Sequence, residues 1–219
     1  VSWLTIMRKF FYLTSLIVIF LLAQTRQAQA SDDKSLVYDY DGNVVLLRRG
    51  IGLPMKSDML IQKNDILKTD TNGTVSVTMN QLSGIRFQTA SECLFENIKS
   101  GGVHLNMSSG LALVNTKSMP TGGKFTLETP TTVITTDILT QFFCRIDGDG
   151  DNLSTLVAVR KGRVKAEVKS SGAEISVLEN QALDIRPDTF ITPPRPVSEE
   201  ETKALFKINS VIINTEESS

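Results

Sequence analysis

The sequence predicts an all-β protein: a short twisted β-solenoid or roll of two facing sheets, with one short C-terminal helix. Three observations carry that expectation. Short runs rich in Val, Ile, Leu, Phe and Thr recur from Leu36 to about Arg186, separated by Gly, Asn, Asp and Ser. Several of these runs alternate apolar and polar residues with period two, the pattern of a half-buried strand. No stretch of this region keeps a 3.6-residue apolar period over three turns, so helices are not expected there. Pattern alone leaves strand connectivity open, and a cupin-like β-sandwich is the alternative arrangement.

In chain order the first expected element is an export signal. Arg8 and Lys9 precede an apolar run from Phe10 to Ala23, and Ala28-Gln29-Ala30 follows as a small-residue cleavage site. A basic start, an apolar core of roughly 7–15 residues and an A-x-A site form the pattern read by the secretion machinery. The run is shorter than the about 20 residues that span a bilayer, so cleavage between Ala30 and Ser31 is expected rather than a retained anchor. Met7 opens this pattern by itself, which makes Val1 to Ile6 read as an artefact of start-site choice. The expected layout is a signal peptide over 1–30, a β domain over 31–188, and a Pro-rich linker, short helix and tail over 189–219. The expected location is periplasmic or secreted.

Charge narrows the partners. The first 30 residues carry three basic side chains and no acidic one, so their removal takes the formal charge from −1 to −4. A mildly acidic chain has no general attraction for phosphate backbones or anionic lipid, so nucleic acid is not an expected partner. After cleavage no membrane span is expected either.

The strands follow in order. Val44 to Leu47 comes after the turn Asp41-Gly42-Asn43, and Thr74 to Met79 alternates strictly after Asn72-Gly73. Ile85-Arg86-Phe87 follows Ser83-Gly84, Val103 to Met107 follows Gly101-Gly102, Leu111 to Val114 follows Gly110, and Phe125-Thr126-Leu127 follows Gly122-Gly123. Two pairs close the series: Gln141 to Ile146 with Leu156 to Arg160, and Arg163 to Val168 with Glu174 to Leu178. Facing sheets would bury Val75, Val77 and Met79 on one side. Pro187 and Pro193-Pro194-Arg195-Pro196 then make a stiff extended passage that cannot join a central strand. Ser198 and Glu201 have the spacing of a capping box, and Ala204, Leu205 and Ile208 form one apolar stripe, so a helix of about three turns is expected. Val211-Ile212-Ile213 is expected as a last short strand.

Candidate chemistry is sparse. Asp147, Asp149 and Asp151 alternate with glycine, and carboxylates so spaced can converge on Ca²⁺. The sixth and twelfth places of an EF-hand loop hold Asn152 and Ala158 instead of Gly and an acid, so a hairpin tip is the favoured reading and Ca²⁺ the weak one. No cofactor is expected. Cys93 and Cys144 are the two cysteines; a disulfide between them and two buried free thiols are both open readings. Their separation is not that of a CxxC redox or zinc site. His104 is the single histidine, on the strand face opposite Val103, Leu105 and Met107, and is expected at a solvent-facing position. One histidine excludes most His-based metal sites, and no serine sits in a G-x-S-x-G elbow. Cys144 with His104 as base is the remaining nucleophile arrangement, opposed by the apolar context of Cys144. Glu92 and Glu96 read as surface charges. Enzyme activity is the weaker class.

A series of short motifs points to a family. Asn64 to Thr69 resembles the "G-D-x-L-x-T" segment that opens FecR-type periplasmic domains, and Thr74 to Met79 resembles its first alternating strand. Asn80 to Cys93 is similar to its "D-G-S-x-l-x-l" stretch, Leu105 to Gly110 to its "L-x-x-G" piece, and Leu127 to Val133 to "v-x-T-P-t-a-v". Val157 to Val164 resembles "v-x-V-l-e-G-x-V", and Gly42-Asn43-Val44 with Arg48-Arg49-Gly50 resembles the lead-in of stand-alone members. The resemblance spans Asp41 to Asp188. It departs at Thr136 to Phe142, where the family has "V-R-G-T-x-F": Leu139 replaces the glycine and the spacing is one residue longer. FecR proper also has a cytoplasmic anti-sigma segment and a transmembrane helix before this domain, so its transmembrane signalling role is not expected here. The resemblance implies an exported β-rich module that brings no catalytic residues.

The expected function is a non-catalytic binding or scaffolding module of the cell envelope, engaging a protein or envelope ligand. A carbohydrate- or peptidoglycan-binding domain is the alternative, opposed by one tryptophan (Trp3, inside the signal) and three tyrosines. A hydrolase is third.

Overall fold

The computed structural model describes residues 34–99, 101–117, 119, 122–187 and 192–211. The expected export signal and Ile212-Ile213 lie outside them. Sixteen strands follow in order: β1 (Ser35–Asp41), β2 (Val44–Arg48), β3 (Ile51–Pro54), β4 (Leu60–Ile61), β5 (Ile66–Thr69), β6 (Thr74–Met79), β7 (Ser83–Lys99), β8 (Gly102–Thr116), β9 (Phe125–Glu128), β10 (Thr132–Thr136), β11 (Thr140–Asp147), β12 (Ser154–Lys161), β13 (Arg163–Val168), β14 (Ala173–Leu178), β15 (Gln181–Ile185) and β16 (Arg195–Pro196). Helix α1 (Glu199–Phe206) follows them. The strands hydrogen-bond into one ladder that stays open at its ends. The chain is all-β, as its alternation predicts.

The ladder divides into two facing layers because its two longest strands bend. β7 and β8 form one hairpin, paired from Lys99 and Gly102 at the tip to Ser83 and Thr116 at the base. Pairing breaks between Gln88 and Glu92, where Thr89 and Ala90 take φ of 47° and 49°. Across from them Gly110 has φ +95°, and a Cβ there would stand 2.4 Å from Ser91 Cα. Only glycine allows that approach. Ser91 then ties the corner. Its hydroxyl donates to the carbonyls of Gln88 and Leu111 (3.2 Å for the latter) and accepts from the Leu111 N–H at 3.0 Å. Its own N–H donates to Thr69 Oγ1 at 2.9 Å.

The base of the hairpin belongs to the first layer, β4-β1-β6-β7-β8-β11-β12-β15-β16. The tip belongs to the second, β3-β2-β5-β7-β8-β9-β10-β13-β14. β8 and β9 pair in parallel, with Val103 opposite Phe125. One hydrophobic core lies between the layers and includes Val75, Val77 and Met79 together. Phe87 of the first layer meets Phe95 of the second edge-on, with ring centroids 6.2 Å apart, and Phe142 meets Phe125 in the same way at 6.2 Å. Edge-to-face contact is the favoured geometry for such rings, so these two pairs join the layers.

One expectation is corrected and one refined. Ile85 to Phe87 and Cys93 to Phe95 are parts of one bent strand, β7, and Val103 to Met107 and Leu111 to Val114 are both parts of β8. The helix is two α turns continued by a 3₁₀ turn over Lys207–Ser210. Val211 is the extended residue that ends this 3₁₀ turn.

The capping box forms as the sequence predicts. The Glu201 N–H donates to Ser198 Oγ at 3.2 Å, and the Ser198 N–H donates to Glu201 Oε2 at 2.6 Å. Arg195 donates to both Glu201 oxygens, at 2.9 and 2.6 Å, and to Asp184 at 3.0 Å. β16 pairs with β15 at the end of the first layer, the edge position to which proline is confined. Leu205, Ile208 and Val211 pack on Leu113, Phe143, Leu156, Ala158 and Ala182, and the Arg160 guanidinium lies 5.0 Å from the centre of the Phe206 ring. This part of the first layer is therefore buried on both faces.

Candidate functional site

The outer face of the second layer has no such cover from α1. Register fixes what it displays. Leu46, Leu67, Leu105, Leu127 and Ile134 turn into the core, so their neighbours turn out. One continuous row crosses eight strands: Leu47 opposite Ile66, then Leu94, Asn106, Glu128, Val133, Glu167 and Glu174. Its first third is apolar and its remainder is mainly polar. All eight side chains reach solvent at least in part.

Next to this row lies a chain of charged contacts centred on His104. Its Nδ1 is 3.2 Å from Glu96 Oε2, and its Nε2 is 3.2 Å from Glu128 Oε2. Glu128 Oε1 accepts from Lys169 Nζ at 2.6 Å, and Glu96 Oε1 accepts from Asn106 Nδ2 at 3.4 Å. The ammonium of Lys169, aided by His104, holds the Glu128 carboxyl below its ordinary range. A neutral imidazole donates from one ring nitrogen only, whereas the imidazolium donates from both. The histidine is outward-facing, as the alternation of its strand predicts, and its side chain is 36% exposed.

The cysteines stand elsewhere. Both are free and fully buried, so the bridge left open by the sequence is not formed. Cys93 on β7 is opposite Met107 and Cys144 on β11 is opposite Ala112, on two sides of β8. Burial pushes both thiols far above their ordinary range. Cys144 faces the core from the first layer and His104 faces out from the second, so the nucleophile–base arrangement is not assembled.

Asp147 ends β11 and accepts from Arg145 Nε at 2.7 Å. Asp149 precedes the 3₁₀ turn Gly150–Asn152, and its carbonyl accepts from the Asn152 N–H at 3.0 Å. The Asp151 side chain lies outside the described ones. Gly148 has φ +85°, and a Cβ there would meet the Asn152 carbonyl at 2.4 Å, which is a turn's reason for glycine. Among the described residues no three His, Cys, Asp or Glu side chains converge as metal ligands. Glu92 pairs with Lys68 at 2.9 Å.

The histidine chain was beyond the reach of the sequence. His104 and Glu128 are 24 residues apart and meet through the parallel β8–β9 register.

No known family pattern matches the chain, and no curated protein sequence does. Among solved structures, two crystal structures described as a putative anti-sigma factor from Parabacteroides distasonis share its fold, each with a TM-score of 0.54 and 13% identity. Each match covers 65% of this chain and 64% of the other, so the chain spans somewhat under two thirds of the length of the proteins it matches.

Proposed function

We propose that the protein is an exported, non-catalytic binding module of the cell envelope, a relative of FecR-type domains that engages a protein partner through the outer face of its second layer. One observation carries this reading. The first layer has outer apolar surface covered by the chain's own helix, while the second presents a row across eight strands that no described segment covers, apolar in its first third and mainly polar beyond. Protein interfaces combine apolar and polar surface in this way. The shared fold with an anti-sigma factor supports a protein as the partner, and the order of the motifs from Asp41 to Asp188 supports the FecR-type relation. Burial of both thiols supports a role without covalent chemistry. The basic start at Arg8 and Lys9, the apolar run from Phe10 to Ala23 and Ala28-Gln29-Ala30 support the envelope as the location.

Site-specific photo-crosslinking in the source cell tests the proposal. A crosslinking residue at Leu94, on the uncovered face, should give a discrete protein adduct, and one at Glu179, on the turn after β14, should not. Equal labelling from both positions, or none from Leu94, overturns the interface. N-terminal sequencing of the cellular protein should begin at Ser31; a form retaining Phe10 to Ala23 overturns the export signal.

A further inference from the structure

A second feature of the same layer lies beyond the histidine row, at the ends of β9, β10 and β13. Lys124, Thr135, Thr136, Asp137, Arg163 and Lys165 line a cleft of about 200 Å³. The three cations come from two segments, the residue before β9 and the first half of β13. Lys124 immediately precedes β9, Arg163 opens β13, and Lys165 sits opposite Thr135 across the β10–β13 pair. Asp137 is the one carboxylate in the lining, which leaves the cleft with a net charge of +2. Lys165 also reaches Glu174 at 3.3 Å, but both side chains are 62% exposed, and such a pair is largely screened by water. Arg163 and Lys124 make no ion pair among the described residues.

Thr136 ties the lining of the cleft to buried neighbours. Thr136 Oγ1 and Thr140 Oγ1 are 2.8 Å apart, the Thr140 hydroxyl donates to the Arg163 carbonyl at 3.2 Å, and Thr116 Oγ1 donates to the Ile138 carbonyl at 3.0 Å. Thr116, Thr136 and Thr140 are all buried. The backbones that carry Arg163 and Thr136 are thus tied together below the surface. Three cations against one carboxylate around a cleft tied in this way suit an anion. A guanidinium offers a planar fork to an oxyanion, and two ammonium groups add point charges.

We propose that this cleft is a binding site for a small oxyanion carrying two negative charges, with Arg163 as the bidentate anchor and Lys124 and Lys165 as flanking charges. The tetrahedral oxygens of a phosphate group and a pair of carboxylates share that chemistry. The inference stands apart from the protein-partner reading, because binding is measured on the isolated protein.

The test is a thermal-shift and calorimetric titration of the protein as purified from the cell. Inorganic phosphate and succinate are the two probes, with sodium chloride at matched ionic strength as reference. Ligand that binds the native state alone raises the melting temperature with a saturating dependence on concentration. One or both probes should do so, and Arg163→Gln should weaken the apparent affinity at least tenfold. Lys56→Gln, an exposed basic position elsewhere, should leave the affinity unchanged. Saturation by phosphate alone assigns a phosphate ligand; saturation by succinate alone assigns a dicarboxylate. If neither probe exceeds the chloride reference, or if Arg163→Gln binds as well as the unaltered protein, the site is an adventitious patch of charge and the proposal fails.

Discussion

Gly110→Ala separates two contributions that are usually confounded. The substitution asks an alanine to hold φ +95° and to place a methyl group 2.4 Å from Ser91 Cα. The left-handed backbone alone costs roughly 1–2 kcal/mol. The contact cannot be relieved by a flexible side chain, because the obstructing atom belongs to the neighbouring backbone. Relief means opening the corner, which breaks the two bonds between the Ser91 hydroxyl and Leu111, at 3.0 and 3.2 Å. Each such bond is worth about 1 kcal/mol net. The expected loss is therefore about 3–4 kcal/mol, a large share of a typical domain's stability. Gly50→Ala is the matched control: its φ is +79°, but a Cβ there meets nothing within 4 Å. It should lose only the conformational part, roughly 1–2 kcal/mol. Urea denaturation of both variants gives the comparison. In a chain of this size the Gly110 variant should also melt roughly 10 °C lower. If the two variants lie within about half a kcal/mol of each other, the bend does not depend on close packing and the account of the corner is wrong.

Three further outcomes are expected. Arg195, with the Ser198 backbone N–H, holds the Glu201 carboxyl below its ordinary range. Its contribution is therefore full above the unfolded value of about 4.3 and disappears as pH falls through the lower folded value. Glu201→Gln should be less stable than the parent at pH 7 and converge with it at the acid end of the melting curve; parallel curves at all pH would contradict the pairing. Cys93 and Cys144 should both resist a thiol-specific chromogenic reagent in the native protein and both react in denaturant, and fast native labelling of either would show the core to be open. Val159→Asp places an unpaired carboxylate at a fully buried position, which costs several kcal/mol, so soluble yield should collapse, whereas His104→Ala should fold with stability changed by about half a kcal/mol.

What the sequence reveals depends on how far apart the interacting residues are. The strand Thr74–Met79, the β13–β14 hairpin and the capping box at Ser198 and Glu201 are all local, and each can be read from spacing within a few residues. Gly110 is local too, but a glycine between apolar runs signals a turn as readily as a bend. The deciding fact, the approach of Ser91, comes from 19 residues upstream. β1 is hidden for another reason: Tyr38-Asp39-Tyr40-Asp41 lies near the end of the first layer, where little is buried and alternation fades. The candidate surface is the least legible part. Its row is assembled from seven strand registers, and the three cations of the cleft mean nothing until β9, β10 and β13 lie side by side.

The docking of α1 has a consequence for biogenesis. Leu205 and Ile208 follow the last of the strands they cover by about 20 residues, so synthesis delivers the first layer before its cover. Until then Leu113, Phe143 and Leu156 form an apolar sheet face open to water, next to the bare edge of β15. Nascent sheets in that state are prone to associate with one another. The late segment is thus the piece that covers this face. Its arrival closes the interval during which a chaperone would be needed.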